Sequence, residues 1–430
     1  MFEVFRNAWK ITDLRKKILY TLLIIFIFRF GASIFVPYLN TDAIKTMVGD
    51  GTLMSFWDQM TGGSLSNGTL FAMSITPYIN ASIIIQLLTV AIPPLERLSK
   101  EGDEGRKKLN KITKFTALGL AIFQSVAFYF TLRNAGAVEY NDGFEGVLAG
   151  ITICACFTAG ASLIIWLGDQ INEKGIGNGI SMILFAGIVA RMPSDIISLF
   201  KQIELENTKS VILVPMILVI YVAMIALVVL MTNAERKIPV QYAKRVVGRK
   251  MYGGQSSYIP IKVAMAGVMP IIFAMSIMSL PSTICFFFGI TGEGNSFWDG
   301  FVRVFSSTSW VYAILYFLLI IGFNYFYIAI QYNPVEIANN LKKNNGAIPG
   351  YRPGQPTAEC IKNSLSKISL IGAIFLGFIA IFPIIFANVS GIRGLSLGGT
   401  TILILVGVAL ETVRSLESQM MMRHHKGFLE

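Results

Sequence analysis

Apolar runs recur ten times along the chain, near 18–37, 71–92, 115–133, 147–168, 176–199, 211–231, 263–288, 310–330, 368–388 and 395–413. Most are about 20 residues long, enough to cross about 30 Å of hydrocarbon as helix. None shows the alternation over about 10 residues of a membrane β-strand. The pattern predicts an all-α polytopic membrane protein with ten transmembrane helices. The fifth run is the weakest, because its clean stretch extends only from Ile180 to Ala190 before Arg191, Pro193 and Asp195 interrupt it.

Several runs are not uniformly oily. In YINASIIIQLL (78–88) helical periodicity puts Ile79, Ser82, Ile83 and Gln86 on one side. Ala81, Ile84, Ile85 and Leu88 fall on the other, which reads as the lipid face. Span seven has a comparable mixed side of Ile272, Ser276, Ser279 and Thr283, and span five one of Ile180, Ile183, Leu184 and Gly187. Any one such face reads best as ordinary close packing of membrane helices. Three together also admit a hydrophobic constriction that gates by excluding water. Pro77 and Pro270, near the starts of spans two and seven, predict bent or broken helices. Between spans one and two, TLMSFWDQMTGGSLSNG reads as a short amphipathic helix ending at Gly62 and Gly63, which binds lipid or folds back into a cavity mouth.

Composition agrees with the spans. Charged residues make up 14% and mean hydropathy is +0.62, whereas a soluble chain carries about 25% charge. Charge also sets orientation. With ten spans, the termini and loops 93–114, 169–175, 232–262 and 331–367 share one side, which holds 28 of the 36 Lys and Arg and a net +14. Seven lie opposite with a net −4, and Arg29 sits inside span one. The positive-inside rule then puts both termini in the cytoplasm, on the plasma membrane if the cell is bacterial. Five spans fall on each side of the midpoint, so the second half is inverted relative to the first, as inverted repeats require. The segments are a tail 1–17, halves 18–200 and 201–413, and a tail 414–430.

Two cytoplasmic loops are longer and more basic than topology demands. Loop 232–262 contains Arg236, Lys237, Lys244, Arg245, Arg249 and Lys250, and its alternating Ile238, Val240 and Tyr242 predict a short hairpin. Loop 331–367 carries Lys342, Lys343 and Arg352 among Pro and Gly. Together they suit acidic partners such as ribosomal RNA.

Other chemistry is sparse. Proton- or ion-coupled carriers keep carboxylates near the midplane, and no span has one there, which weighs against the rival reading of a secondary transporter with inverted repeats. Arg29 reads best as a packing or partner contact. There is no Walker A pattern, and GIGNG (175–179) lacks dinucleotide-site spacing, reading instead as a flexible approach to a helix. Cys154, Cys156, Cys285 and Cys360 form no disulfide framework, and His424 and His425 have no companion ligands. Neither a metal, a cofactor nor an intramembrane enzyme is indicated. The first run is too long for a signal-peptide core and has no A-x-A pattern after it, so it is expected to stay in the mature protein.

Six long motifs in order, PYINASIIIQLL, EGRKKLNKIT, GIGNGISMILFAGIVA, QYAKRVVGRKMYGGQSSYIPIKVAMAGVMP, NPVEIANNLKKNNGAIPGYRPGQPT and GGTTILI, resemble the SecY family of bacterial protein-conducting channels from end to end. The resemblance implies an hourglass pore between two inverted five-helix halves, passing unfolded secretory chains and releasing membrane segments sideways. It implies a waist of Ile79, Ile83, Ile180, Leu184, Ile272 and Ile404, with Leu184 where isoleucine is common. It implies a plug near 52–66, including Leu53, Phe56, Trp57 and Met60, and a lateral gate with Gln86, Gln124, Ser276 and Ser279. It further implies that Arg249 and Arg352 are key loop arginines. The implied partners are SecE, SecG, the SecA motor, the ribosome and its RNA, signal peptides, nascent chains and membrane lipid.

Overall fold

The computed structural model describes residues 2–48, 58, 61–140, 143–201, 208–242, 245–247, 250–252, 256–287, 297–305, 309–390 and 399–424. Ten long apolar helices carry the fold: α2 (Thr12–Gly31), α4 (Thr76–Ala91), α6 (Asp103–Asn134), α7 (Gly143–Lys174), α8 (Gly179–Lys201), α9 (Thr208–Asn233), α10 (Met269–Phe287), α12 (Trp310–Gln331), α14 (Gln355–Ser390) and α15 (Gly399–His424). Shorter helices are α1 (Phe2–Lys10), α3 (Thr41–Met47), α5 (Pro93–Lys100), α11 (Phe297–Val304) and α13 (Pro334–Lys343). Among the described residues seven helices are long and apolar enough to span a membrane unaided, and α4 with α5 makes an eighth, bent by 102°.

Packing repeats between the halves. In the first, α4 lies on α6, α6 on α7, α7 on α8, and α2 on α8. In the second, α10 lies on α12, α12 on α14, α14 on α15, and α9 on α15. These four neighbour pairs recur five spans later, as two inverted halves require, and α2 lies on α7 as well. The halves meet where α8 touches α15 and where α6 touches α10.

Three expectations from the sequence change. Pro77 and Pro270 do not bend their helices. They stand in the first turns of α4 and α10, where the missing N–H is unpaired anyway. The bend falls instead at Ile92, before Pro93 and Pro94. Residues 71–75, within the run ascribed to span two, are turns, and Phe71, Ala72, Ser74 and Ile75 are buried. Irregular backbone at membrane depth is tolerated when protein covers it. The supposed lipid face of α4 is also split. Ile84 is exposed, but Ala81 and Ile85 are buried, with Ala81 packed against Ala117 of α6 and Ile165 of α7.

The GIGNG turn has a clear physical basis. The Asn172 side chain accepts from Gly179 N at 2.8 Å and Asn178 accepts from Ile180 N at 3.1 Å, so the first N–H groups of α8 are satisfied. A Cβ at Gly179 would overlap the Gly168 carbonyl oxygen of α7.

The two basic loops form one unit. β1 (Glu235–Tyr242) pairs antiparallel with β4 (Ser256–Lys262), and β2 (Arg245–Val247) with β3 (Lys250–Tyr252), giving the expected hairpin. β1 also pairs with β5 (Gly346–Ala347) from the second loop, making a sheet in the order β4-β1-β5. Ile238 and Val240 point inward onto Ile261, Leu341, Ile348, Ile361, Leu365 and Ile368. The second loop is more ordered than its Pro and Gly suggest, because α14 begins at Gln355, well before 368. Val240 is 1% exposed, so Val240→Asp puts an unpaired carboxylate in this small core. We expect the finger to come off α14, with proteolysis of the β1–β4 hairpin in inverted vesicles rising about tenfold or more while the helices stay protected, since such burial costs several kcal/mol.

Candidate functional site

Five of the six side chains expected at a waist share one apolar cluster. Leu184 (3% exposed), Ile272 (8%) and Ile404 (2%) are among its buried members, and Ile79 and Ile180 pack against it half-buried. These five come from α4, α8, α10 and α15, so both halves contribute. Ile83 is also buried but lies outside that cluster. Phe28, Phe71 and Ile75, which periodicity did not single out, complete one flank, with Phe28 and Phe71 stacked at 5.7 Å.

A stripe continues along α8 from this cluster toward the end of the helix. Ile180, Leu184, Gly187, Arg191 and Asp195 recur at spacings of three and four, hence on one face. The turn after span one lies against that face. Gly62 has φ +68°, and a Cβ there would come within 2.6 Å of Arg29 Nη1 and 2.8 Å of the Gly187 carbonyl oxygen. Arg29 Nη1 is buried with no hydrogen-bond partner among the described residues. Asp58 is wholly buried and its carboxylate pairs with Arg191 Nη1, while Arg191 Nε donates to Asp195 at 3.4 Å. Leu53, Phe56, Trp57 and Met60 lie outside the described residues.

The expected gate residues are half-buried: Gln86 on α4, Gln124 on α6, and Ser276 and Ser279 on α10. α6 and α10 are in contact across the seam between halves. The Ser279 hydroxyl donates to the Ser276 carbonyl at 2.8 Å, so the helix itself supplies a partner for it. Nothing is described of the Thr283 side chain.

On the finger, Arg236, Lys237, Lys342, Lys343 and Arg352 are exposed. Arg245 and Lys250 stand in β2 and β3, while Lys244 and Arg249 lie outside the described residues. Lys237 reaches Glu235 at 3.4 Å and lies 4.7 Å above the Tyr258 ring. Burial and the nearby Arg414 guanidinium hold the Lys262 ammonium below its ordinary pKa, opposed by Glu235. Among the described residues no cluster of His, Cys, Asp and Glu is arranged to hold a metal ion.

Comparisons with known proteins converge on one group. Residues 69–413 match the SecY family model. The chain is similar to protein translocase subunit SecY of Mycobacterium bovis, 40% identical over 447 residues with all of both chains covered. In fold it is similar to a solved protein conducting channel, with a TM-score of 0.64 at 19% identity over 94% of this chain and 92% of that one. It is likewise similar to Sec61 from the canine ribosome-channel complex of the endoplasmic reticulum, with a TM-score of 0.60 at 18% identity over 94% and 92%.

Proposed function

The chain belongs to the SecY family and is a multi-pass membrane channel for protein translocation, not an enzyme; from this premise we propose that Ile79, Ile83, Ile180, Leu184, Ile272 and Ile404 form the seal of an hourglass pore. The observation that carries the reading is the burial of Leu184, Ile272 and Ile404 in one cluster fed by both halves. Branched aliphatic side chains exclude water from a narrow neck and thereby exclude ions. They offer a passing chain no strong hydrogen bond, so unfolded polypeptides of many sequences slide through. A stretch of about 20 apolar residues gains free energy by leaving for lipid. The contact of α6 with α10 is the seam through which it leaves, with Gln86, Gln124, Ser276 and Ser279 along the way. The stretch about 52–66 is the plug by family likeness.

Loops 232–262 and 331–367, joined by the β1–β5 pairing, form one basic docking finger for the ribosome and for a motor such as SecA. The charge distribution favours termini in the cytoplasm of a bacterial cell, and the small subunits SecE and SecG complete the complex. The work of transport comes from these partners. The lack of midplane carboxylates agrees with a channel rather than with a secondary transporter with inverted repeats.

Replacing Ile79, Ile83, Ile272 and Ile404 together with serine should raise the resting ion conductance of the reconstituted channel about tenfold or more, equal to ~1.4 kcal/mol of gating free energy. An unchanged closed state rules out the waist. Charge reversal of Arg352, which is exposed on the finger, should cut translocation about tenfold while the channel still inserts and seals, since charge pairing at docking surfaces is worth a few kcal/mol. Export at the unaltered rate removes Arg352 from the docking face.

A further inference from the structure

We propose that Asp58 and Arg191 are a positioning pair that pins the turn 61–66 onto α8 directly outward of the waist, and that this pin sets how tightly the resting channel closes. The proposal rests on the waist reading above. It explains the charged residues Arg191 and Asp195, which made the fifth span look short and which pore lining does not use.

Asp58 organises the turn from within. Its carboxylate accepts from Ser66 N at 2.7 Å, and its backbone carbonyl accepts from Gly63 N at 2.9 Å and from the Thr61 hydroxyl at 3.0 Å. Thr61, Ser64 and Leu65 are buried. The other carboxylate oxygen of Asp58 meets Arg191. The turn is thus tied together from within, and its fully buried charge is answered from α8. That helix also supplies Ile180 and Leu184 to the waist. Arg191 lies on the same stripe, one turn beyond Gly187, against which Gly62 packs.

Burial makes this pair an all-or-none device. A buried carboxylate that loses its partner is left uncompensated, whereas neutralising both members removes the problem. The pair is strong only while the outer cavity is dry, because Coulomb attraction falls with the local dielectric. A chain that opens the waist brings water to Arg191, whose side chain is already 27% exposed. Hydration weakens the pin and frees the turn. When the chain has passed and water leaves, the pair forms again. Gly62 and Gly63, both with positive φ, let the turn approach the α8 backbone closely enough for this.

The test uses the complete channel complex in lipid vesicles and planar bilayers, with three variants: Arg191→Gln, Asp58→Asn, and the two combined. Ser64→Cys, at a buried position in the turn, reports its release through modification by a membrane-impermeant thiol reagent added from the outer face. We expect Arg191→Gln to raise both the modification rate and the resting conductance about tenfold, and the combined variant to return both to within about twofold of the parent, because the turn then holds no buried carboxylate in need of a partner. Unchanged modification in Arg191→Gln overturns the pin. Faster modification without extra conductance overturns its role in closure, and so does a combined variant as leaky as the single one. The serine waist variant separates the two readings: if it leaks while Arg191→Gln does not, the pin fails and the waist stands. If Arg191→Gln leaks while the waist variant stays closed, the waist reading fails instead.

Discussion

Water must be kept out of a passage that also has to admit a polar polypeptide, and only one kind of contact in this chain meets both demands. Polar contacts hold tightly but discriminate among sequences, and a charged constriction would select ions rather than exclude them. Aliphatic contacts seal by dewetting and part without leaving unpaired groups. The cluster holding Leu184, Ile272 and Ile404 is built of such contacts, and the surrounding architecture brings them together. Two half-bundles with matching neighbour order meet at α8 with α15 and at α6 with α10, so the cluster lies where the halves join.

The polar features of the fold are screened in other ways. Irregular backbone at 71–75 is buried under protein, which spares its N–H and C=O groups from lipid. The basic residues gather on a sheet that joins two loops about a hundred residues apart, fixed to the long helix α14 by its own small core. The ion pair of Asp58 with Arg191 stands on the helix that also brings Ile180 and Leu184 to the aliphatic cluster.

Much of this was legible in the sequence, for physical reasons. Lipid demands apolar runs of fixed length, so ten of them could be counted, and the alternation of Ile238 and Val240 revealed a strand whose pattern the structure repeats as buried positions. Other features were not legible. The β1–β5 pairing depends on a two-residue strand, too short for any periodic signal. The rotation of α4 depends on Ala81 being small enough for α6 to approach closely, something hydropathy cannot distinguish from a residue facing lipid. Arg191 looked like a flaw in span five because its partner Asp58 is 133 residues away. Only the fold brings these charges together.

The central claim is that a translocating chain passes through the aliphatic cluster and not along the lipid-facing perimeter. The most direct measurement places a photo-crosslinking amino acid in turn at Ile272 and Ile404, and for contrast at the exposed positions Ile284 and Leu318, and arrests a secretory chain midway through the complex. The account predicts adducts between the arrested chain and positions 272 and 404, with lipid adducts alone at 284 and 318. Adducts to the chain at the perimeter positions, with none at 272 or 404, would contradict it.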